Sequence, residues 1–375
     1  GLIHPAQGLF ATFSTLLNGL RPGAGRIGLA TQSGAFGSAT YGAAALRGLG
    51  LSCAVATGNE ADVDVAECID YLAEDPDTRV ICTALEACRD GTALRAALLK
   101  AADAGKPVIA MKIGRSALGA AAAATHTGGM AGNDAIYDAV LAECGAVRAG
   151  SIDEMLDIAS FCDTAGRLPA GPRVGVVTGS GGIGVLMADE AESLGLTMPA
   201  LPDAAVQALR EVLPFAVPAN PFDTTAQVTS VPQGIERTVQ AMLDHGGCDT
   251  VIAYLAHAGL SPQRFAQTEA ALAALQASHP QQQLMVVMLS AAEVSRRLGE
   301  AGVPVVADPS RAMRALGAAW TLRQRRTQLH RLPAPDAAAA AATPPLPPVA
   351  TESQAKACLA AAGLPVPPET ACATR

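Results

Sequence analysis

Arg26-Ile27-Gly28-Leu29-Ala30-Thr31-Gln32-Ser33-Gly34-Ala35 and Arg173-Val174-Gly175-Val176-Val177-Thr178-Gly179-Ser180-Gly181-Gly182-Ile183-Gly184 are two versions of one arrangement. Each opens with a short apolar run that reads as a buried strand. A Gly-rich turn follows, then a helical pattern, from Gly37 to Leu49 in the first copy and to about Leu194 in the second. A strand feeding a helix through a tight turn is the opening of a βαβ unit, so the pattern predicts parallel sheets.

The neighbouring segments extend that reading. Ser52 to Thr57 is a second apolar run entering Gly58-Asn59-Glu60, and Val63 to Glu74 reads as a helix stopped by Asp75-Pro76. Thr78 to Leu85 is β-rich and ends at Glu86; residues 92–104 are helical, and Pro107 to Lys112 is another strand. After the linker-like Arg167-Leu168-Pro169-Ala170-Gly171-Pro172 the pattern restarts, with later strands at Val251–Leu255, Leu284–Leu289 and Val303–Val306. The expected class is α/β, two tandem domains over 23–166 and 172–330, each a parallel sheet covered by helices. Residues 1–22 show little regular patterning. Residues 331–350, rich in Pro and Ala, read as a linker. Thr351 is placed as the N-cap of a new helix in 351–375.

Composition excludes several classes. With 375 residues, 50% hydrophobic and only 16% charged, the chain is too apolar for general disorder and long enough for two to three domains. Aromatics are only 3%, as suits Ala-rich helices on buried strands. A net charge of −8 argues against a nucleic-acid binder. No run approaches the roughly 18 apolar residues of a membrane span, and no basic leader precedes an apolar segment, so a cytosolic protein is expected. Nine cysteines show no CxxC pair and no zinc-like spacing, which reads as small reduced core residues and no metal site. A start at Gly1 and an end inside a helix-like pattern read as a piece of something longer.

Candidate chemistry gathers at the turns. A helix N-terminus behind a Gly turn presents unpaired N–H groups and a positive dipole end, hence an anion pocket; alternatively, the glycines only allow close helix–sheet packing. The second turn also fits GxGxxG through Gly179, Gly181 and Gly184, with Asp203 roughly where a dinucleotide site needs an acid, although Pro202 makes it a helix-start residue as well. Of six histidines, His126 stands apart in Ala124-Thr125-His126-Thr127-Gly128-Gly129, a small-residue loop reachable from several sides. An imidazole there is a candidate phosphoryl-accepting nucleophile, and a loop histidine bonded to backbone is the plainer reading. Glu86 closes a strand, where parallel sheets bind ligands, and a carboxylate there can orient an imidazole. Lys112 and Asp223 are further strand-end and loop candidates.

These residues, in order, resemble the NDP-forming acyl-CoA synthetases, the ADP-forming acetate–CoA ligase group related to succinyl-CoA synthetase. The matching pieces are Thr31-Gln32-Ser33-Gly34-Ala35, Gly58-Asn59 with Asp62, Tyr71 to Asp75, and Lys112-Ile113-Gly114-Arg115-Ser116. Thr125-His126-Thr127-Gly128, Gly179 to Gly184 and Asn220-Pro221-Phe222-Asp223 continue the series, so the resemblance covers about residues 1–330. It implies two flavodoxin-like domains, with His126 phosphorylated, Glu86 orienting it, and Ser33-Gly34-Ala35 and Ser180-Gly181-Gly182-Ile183 gripping the phosphate. Asn59, Lys112 and Asp223 are secondary candidates. Residues 1–22 then lead in from a CoA-binding Rossmann domain, and 351–375 begin an ATP-grasp unit that is cut off. Thr31 stands where serine is common in the family.

The implied reaction joins a carboxylic acid to CoA with ATP, releasing ADP and phosphate, through a phosphohistidine and an acyl phosphate. CoA, ATP/ADP and Mg2+ are then expected, held mostly by domains outside this chain, so the chain alone should not turn over. The expected partners are the acid, the CoA-binding and ATP-grasp domains and, in a homo-oligomer, further copies, with neither nucleic acid nor membrane. The rivals are a non-catalytic module sensing acyl-CoA or nucleotide, and an NAD-dependent oxidoreductase. A serine hydrolase fails because Thr31-Gln32-Ser33-Gly34-Ala35 lacks the first glycine of GxSxG. Neither the identity of the acid nor the nucleotide preference is readable.

Overall fold

The structure, a computed structural model, describes residues 1–116, 118–119, 133–329, 351–361, 363 and 365–368. Residues 1–329 form one compact unit and 330–375 a second. In the first half of the larger unit the strands are β1 (Leu2–His4), β2 (Leu9–Ala11), β3 (Ala24–Thr31), β4 (Leu51–Ala56), β5 (Val80–Leu85), β6 (Val108–Lys112) and β7 (Val147–Arg148). The helices are α1 (Gly34–Leu46), α2 (Val65–Glu74), α3 (Gly91–Asp103), α4 (Asp134–Glu143) and α5 (Ile152–Ala165). They alternate because apolar runs of β-favouring residues are separated by capped helices. Asp64 and Glu67 form a reciprocal capping box at α2, and Asp90 caps α3.

The first sheet runs β2-β1-β4-β3-β5-β6-β7. From β4 to β7 it is parallel, as expected. The β1–β2 hairpin is an addition that patterning did not predict. Residues expected to be irregular pair antiparallel, β1 against both β2 and β4. Three-residue strands are too short to show period-2 alternation, and the pairing partner lies some fifty residues away at Ala54 and Val55.

The second half holds β8 (Val174–Thr178), β9 (Phe222–Asp223), β10 (Thr250–Gly259), β11 (Gln283–Ser290) and β12 (Val305–Val306). Its helices are α6 (Gly181–Ser193), α7 (Asp203–Val212), α8 (Gly234–His245), α9 (Pro262–Ser278), α10 (Ala292–Glu300) and α11 (Pro309–Leu329). The sheet order is β12-β11-β10-β8-β9, parallel throughout.

One apolar cluster crosses from half to half, joining Ile27, Leu29 and Phe161 to Val174, Met187, Met285 and Leu316. Helix α11 returns from the second half to pack on α5 and α6. Asp157, on α5 and almost buried, accepts a two-pronged bond from Arg311 of α11 (2.6 and 2.8 Å) and a third from Arg47 after α1 (3.1 Å). Cysteines 53, 68, 82, 144, 162 and 248 are buried free thiols, and Cys88 and Cys358 are half-buried. Among the described residues no helix is long and apolar enough to cross a membrane.

In the smaller unit, α12 (Glu352–Ala361) begins as the sequence predicts. The Thr351 hydroxyl accepts from Gln354 N–H at 3.3 Å, and the Gln354 side chain accepts from Thr351 N–H at 2.9 Å.

Candidate active site

Both Gly-rich turns leave the strand at which the sheet order reverses. The chain goes from β3 to β4 on one side and returns to β5 on the other; β8 lies likewise between β9 and β10. Such switch points open a crevice at the carboxyl ends of the strands. Local bonding repeats with the sequence. The Thr31 hydroxyl donates to the Ser33 carbonyl at 3.1 Å, and the Thr178 hydroxyl donates to the Ser180 carbonyl at 3.1 Å.

The glycines divide the two functions proposed for them. A Cβ on Gly37 would lie 2.9 Å from the Thr31 hydroxyl, and one on Gly184 would lie 3.1 Å from Pro221. These two are packing glycines. Gly34 meets nothing within 4 Å, so at the first turn of α1 its small size keeps the helix tip open. Ser33 caps α1 by accepting from Phe36 N–H at 3.3 Å, whereas the Ser180 side chain makes no capping bond at α6. In the second turn Asp223 stands beside Gly181, whose Cβ would lie 2.9 Å from its Oδ2. Asp223 is placed there by parallel pairing with Thr178, and its Oδ1 accepts from Thr225 N–H at 2.8 Å.

Glu86 follows β5 and is almost fully buried, at 5% exposure. Its backbone is held by Gln32, a residue to which sequence reasoning gave no role. The Gln32 Oε1 accepts from Glu86 N–H (2.5 Å) and Ala87 N–H (3.0 Å), while its Nε2 donates to the Ala87 carbonyl (2.9 Å). One side-chain amide thus ties the end of β3 to the end of β5. The only available signal was an amide placed between the strand-ending Thr31 and the helix-capping Ser33.

Lys112, at the end of β6, is buried at 4% exposure. Its Nζ donates to the Glu86 carbonyl at 2.9 Å and to the Ile113 carbonyl, and it lies 4.8 Å from the centre of the Tyr137 ring. Burial lowers the lysine pKa, against the opposing pull of Asp134. Tyr137 is pushed up to about 12 by burial, so the ring under the ammonium stays a neutral phenol. Asn59 sits in the exposed turn after β4, where its carbonyl accepts from Arg89 at 2.7 Å. The adjoining Glu60 is held at φ 53° and accepts from Val65 N–H at 3.0 Å.

The predicted residues therefore fall into two groups. Ser33, Gly34, Ala35, Glu86 and Lys112 gather at the carboxyl ends of β3, β5 and β6, with Asn59 beyond β4. Ser180, Gly181, Gly182, Ile183 and Asp223 gather at the ends of β8 and β9. His126 lies outside the described residues. Asp203 is the first residue of α7, behind Pro202, and closes no strand, so it is not the acid that GxGxxG requires; the acid at the end of the strand next to β8 is Asp223, some forty residues beyond the motif. Among the described residues no cluster of three His, Cys, Asp or Glu side chains is arranged to hold a metal ion.

Comparison with known proteins is consistent with this geometry. Residues 24–162 match the succinyl-CoA ligase like flavodoxin domain, and residues 174–304 match the ligase-CoA domain. The alpha subunit of ADP-forming acetate–CoA ligase I from Pyrococcus furiosus is 32% identical over 324 residues, covering 85% of this chain and 68% of that subunit. This chain belongs to the ADP-forming acetate–CoA ligase family.

Other family members vary in length and name. The alpha subunit of ligase II from the same organism is 34% identical, over 71% of this chain and 57% of its own length. A trans-feruloyl-CoA synthase from an unknown prokaryotic organism is 37% identical over 60% of this chain, but only 32% of its own length is covered. Among solved structures, a dinucleotide-forming acetyl-coenzyme A synthetase from Candidatus Korarchaeum cryptofilum, in complex with phosphate and ADP, superposes with a TM-score of 0.76 at 27% identity. That match covers 88% of this chain and 71% of the other. The chain thus spans between about a third and about seven-tenths of these relatives. The sensing-module and oxidoreductase readings find no support among them.

Proposed function

We propose that the complete protein is an ADP-forming acid–CoA ligase and that this chain supplies its phosphoryl-transfer centre. The observation that carries the reading is the doubled Thr-x-Ser-Gly turn, each copy at a sheet switch point and opening a helix whose first N–H groups lack intrahelical acceptors.

In this reading His126 attacks the γ-phosphorus of ATP and ADP leaves. A carboxylate oxygen of the acid then attacks the phosphorus and the imidazole leaves, giving an acyl phosphate. The CoA sulfur attacks the acyl carbon, phosphate leaves, and the thiol proton is lost to solvent. Splitting one displacement into three lets separate sites share a phosphoryl group. Glu86 accepts an N–H of the imidazole and holds the ring's other nitrogen as the nucleophile. Buried in a position braced by Gln32, it has little freedom to turn away. The tips at Ser33–Ala35 and Ser180–Ile183 offset the phosphoryl charge with N–H groups and helix dipoles. Asp223, at the second tip, makes the first the more attractive to an anion.

CoA and ATP are the co-substrates, with the CoA-binding and ATP-grasp domains as partners in the same assembly. Mg2+ acts with ATP; the described residues offer it no cluster, so no step here depends on them. The test is the full-length protein with γ-32P-labelled ATP: label is retained at His126, and a His126→Asn variant is unlabelled. Normal labelling of that variant overturns the assignment.

A further inference from the structure

Lys112 meets three separate parts of the first half. Register places it beside Leu85 in the parallel pair of β5 and β6, and Ile113 N–H donates to the Leu85 carbonyl at 2.9 Å. The next carbonyl, that of Glu86, lies one residue past this ladder and takes its bond from Lys112 Nζ at 2.9 Å. The ammonium also donates to the Ile113 carbonyl, and the ring of Tyr137 on α4 is centred 4.8 Å away. Two carbonyls and an aromatic face thus meet a group with three N–H donors.

The other end of the same peptide is held as well. Gln32 Oε1 accepts from Ala87 N–H at 3.0 Å, and that N–H belongs to the peptide unit whose carbonyl Lys112 grips. A peptide unit is planar, so bonds to its N–H and its C=O together fix the plane. Glu86 N–H is also on Gln32, at 2.5 Å, so the main chain is anchored on both sides of the Glu86 Cα and the side chain leaves it in one direction. Lys112, Gln32 and Glu86 are all buried, which keeps water from replacing these bonds. An ammonium is costly in such a place, and a Met of similar length would avoid that cost. What the lysine contributes is donors for the two carbonyls.

We propose that Lys112 is a positioning residue for phosphoryl transfer: with Gln32 it clamps the Glu86–Ala87 peptide from opposite ends and thereby aims the Glu86 carboxylate at the imidazole. This rests on the ligase reading, in which Glu86 orients His126. Lys112 acts through Glu86 and not on the nucleotide, so its loss slows the phosphoryl step and leaves ATP binding unchanged. Both ends of the clamp are needed, because a peptide held at one end turns about the bonds that flank it. Once Gln32 is gone, removing Lys112 therefore costs little more.

The test uses the full-length protein, γ-32P-labelled ATP with rapid quenching, and hydrogen–deuterium exchange over residues 84–89, a readout independent of turnover. Lys112→Met slows labelling about tenfold or more with the KM of ATP unchanged, and speeds exchange about tenfold. Lys112→Met combined with Gln32→Met is slower than the slower single variant by no more than about threefold. If Lys112→Met does not fold, Tyr137→Leu takes its place: it removes the ring from the ammonium, leaves both carbonyl bonds, and slows labelling about threefold. A folded Lys112→Met that labels at the wild-type rate overturns the proposal, as does a Tyr137→Leu that does so. A raised KM of ATP with an unchanged maximal rate also overturns it, because Lys112 would then serve nucleotide binding, and so does slowing that multiplies in the double variant. A wild-type protein that takes no label at His126 refutes the ligase reading instead; faster exchange in Lys112→Met then leaves the clamp standing, and unchanged exchange removes it.

Discussion

Replacing Gln32 with Met removes the brace between β3 and β5 while nearly conserving volume, so little cavity cost is added. Three hydrogen bonds are lost, two received from Glu86 and Ala87 N–H and one given to the Ala87 carbonyl. Gln32 is only 7% exposed and Glu86 only 5%, so water replaces these bonds poorly. At about 1 kcal/mol per bond, the loss is about 3 kcal/mol. It falls on local opening of the β5 end, where the Glu86 amide should exchange hydrogen about 100-fold faster. Hydrogen–deuterium exchange over residues 84–89 measures that directly. Phosphohistidine labelling should fall with it, because the carboxylate loses its fixed position. Exchange within about threefold of wild type, or full labelling despite faster exchange, would refute the argument that Gln32 positions Glu86.

Gly37→Ala should destabilise the fold by about 1–3 kcal/mol, since its Cβ would press on the Thr31 hydroxyl from 2.9 Å. Gly34→Ala, which meets nothing, should melt like wild type yet lower phosphoryl labelling; thermal melts and 32P incorporation separate the two. Asp157→Asn should cost about 3 kcal/mol, because the Arg311 and Arg47 guanidiniums lose a nearly buried carboxylate; denaturant titration reads the loss, and Asp157→Leu combined with Arg311→Met should recover much of it. Burial, the leading cause in each case, raises Cys53, Cys144 and Cys248 from 9.0 to about 11 and Cys68 and Cys162 to about 12. The unfolded thiols lose protons first, so this stability is complete below pH 9 and is lost as pH rises from there toward 11–12. Denaturation midpoints measured from pH 8 to pH 11 should fall accordingly, and a flat profile would contradict it.

The strand–turn–helix opening was legible twice in sequence because its signals are local. A buried parallel strand needs a continuous apolar run, and the turn needs glycine where the helix must pass close to the strand. Glu86 and Lys112 were legible as strand-end residues for the same reason. Gln32 was not, because an amide carries no mark of the partner it meets some fifty residues further on. The β1–β2 hairpin was missed because three-residue strands have no period to read, and their identity comes from an available sheet edge.

Sequence by itself determined the α/β class, the longer parallel strands of both halves, the two helix tips and the family, since these depend on residue type and short spacing. Tertiary structure alone decided that β3 and β8 are the switch-point strands, that Gln32 fixes Glu86, and that Gly37 packs while Gly34 stays open. It also decided that Asp157 joins helices from both halves and that β1 pairs antiparallel with β4 at the edge of the first sheet. The physical reason is common to all of these: hydrogen-bond partners, steric clearance and enclosed volume arise between segments distant along the chain, and they exist only once the sheets have formed.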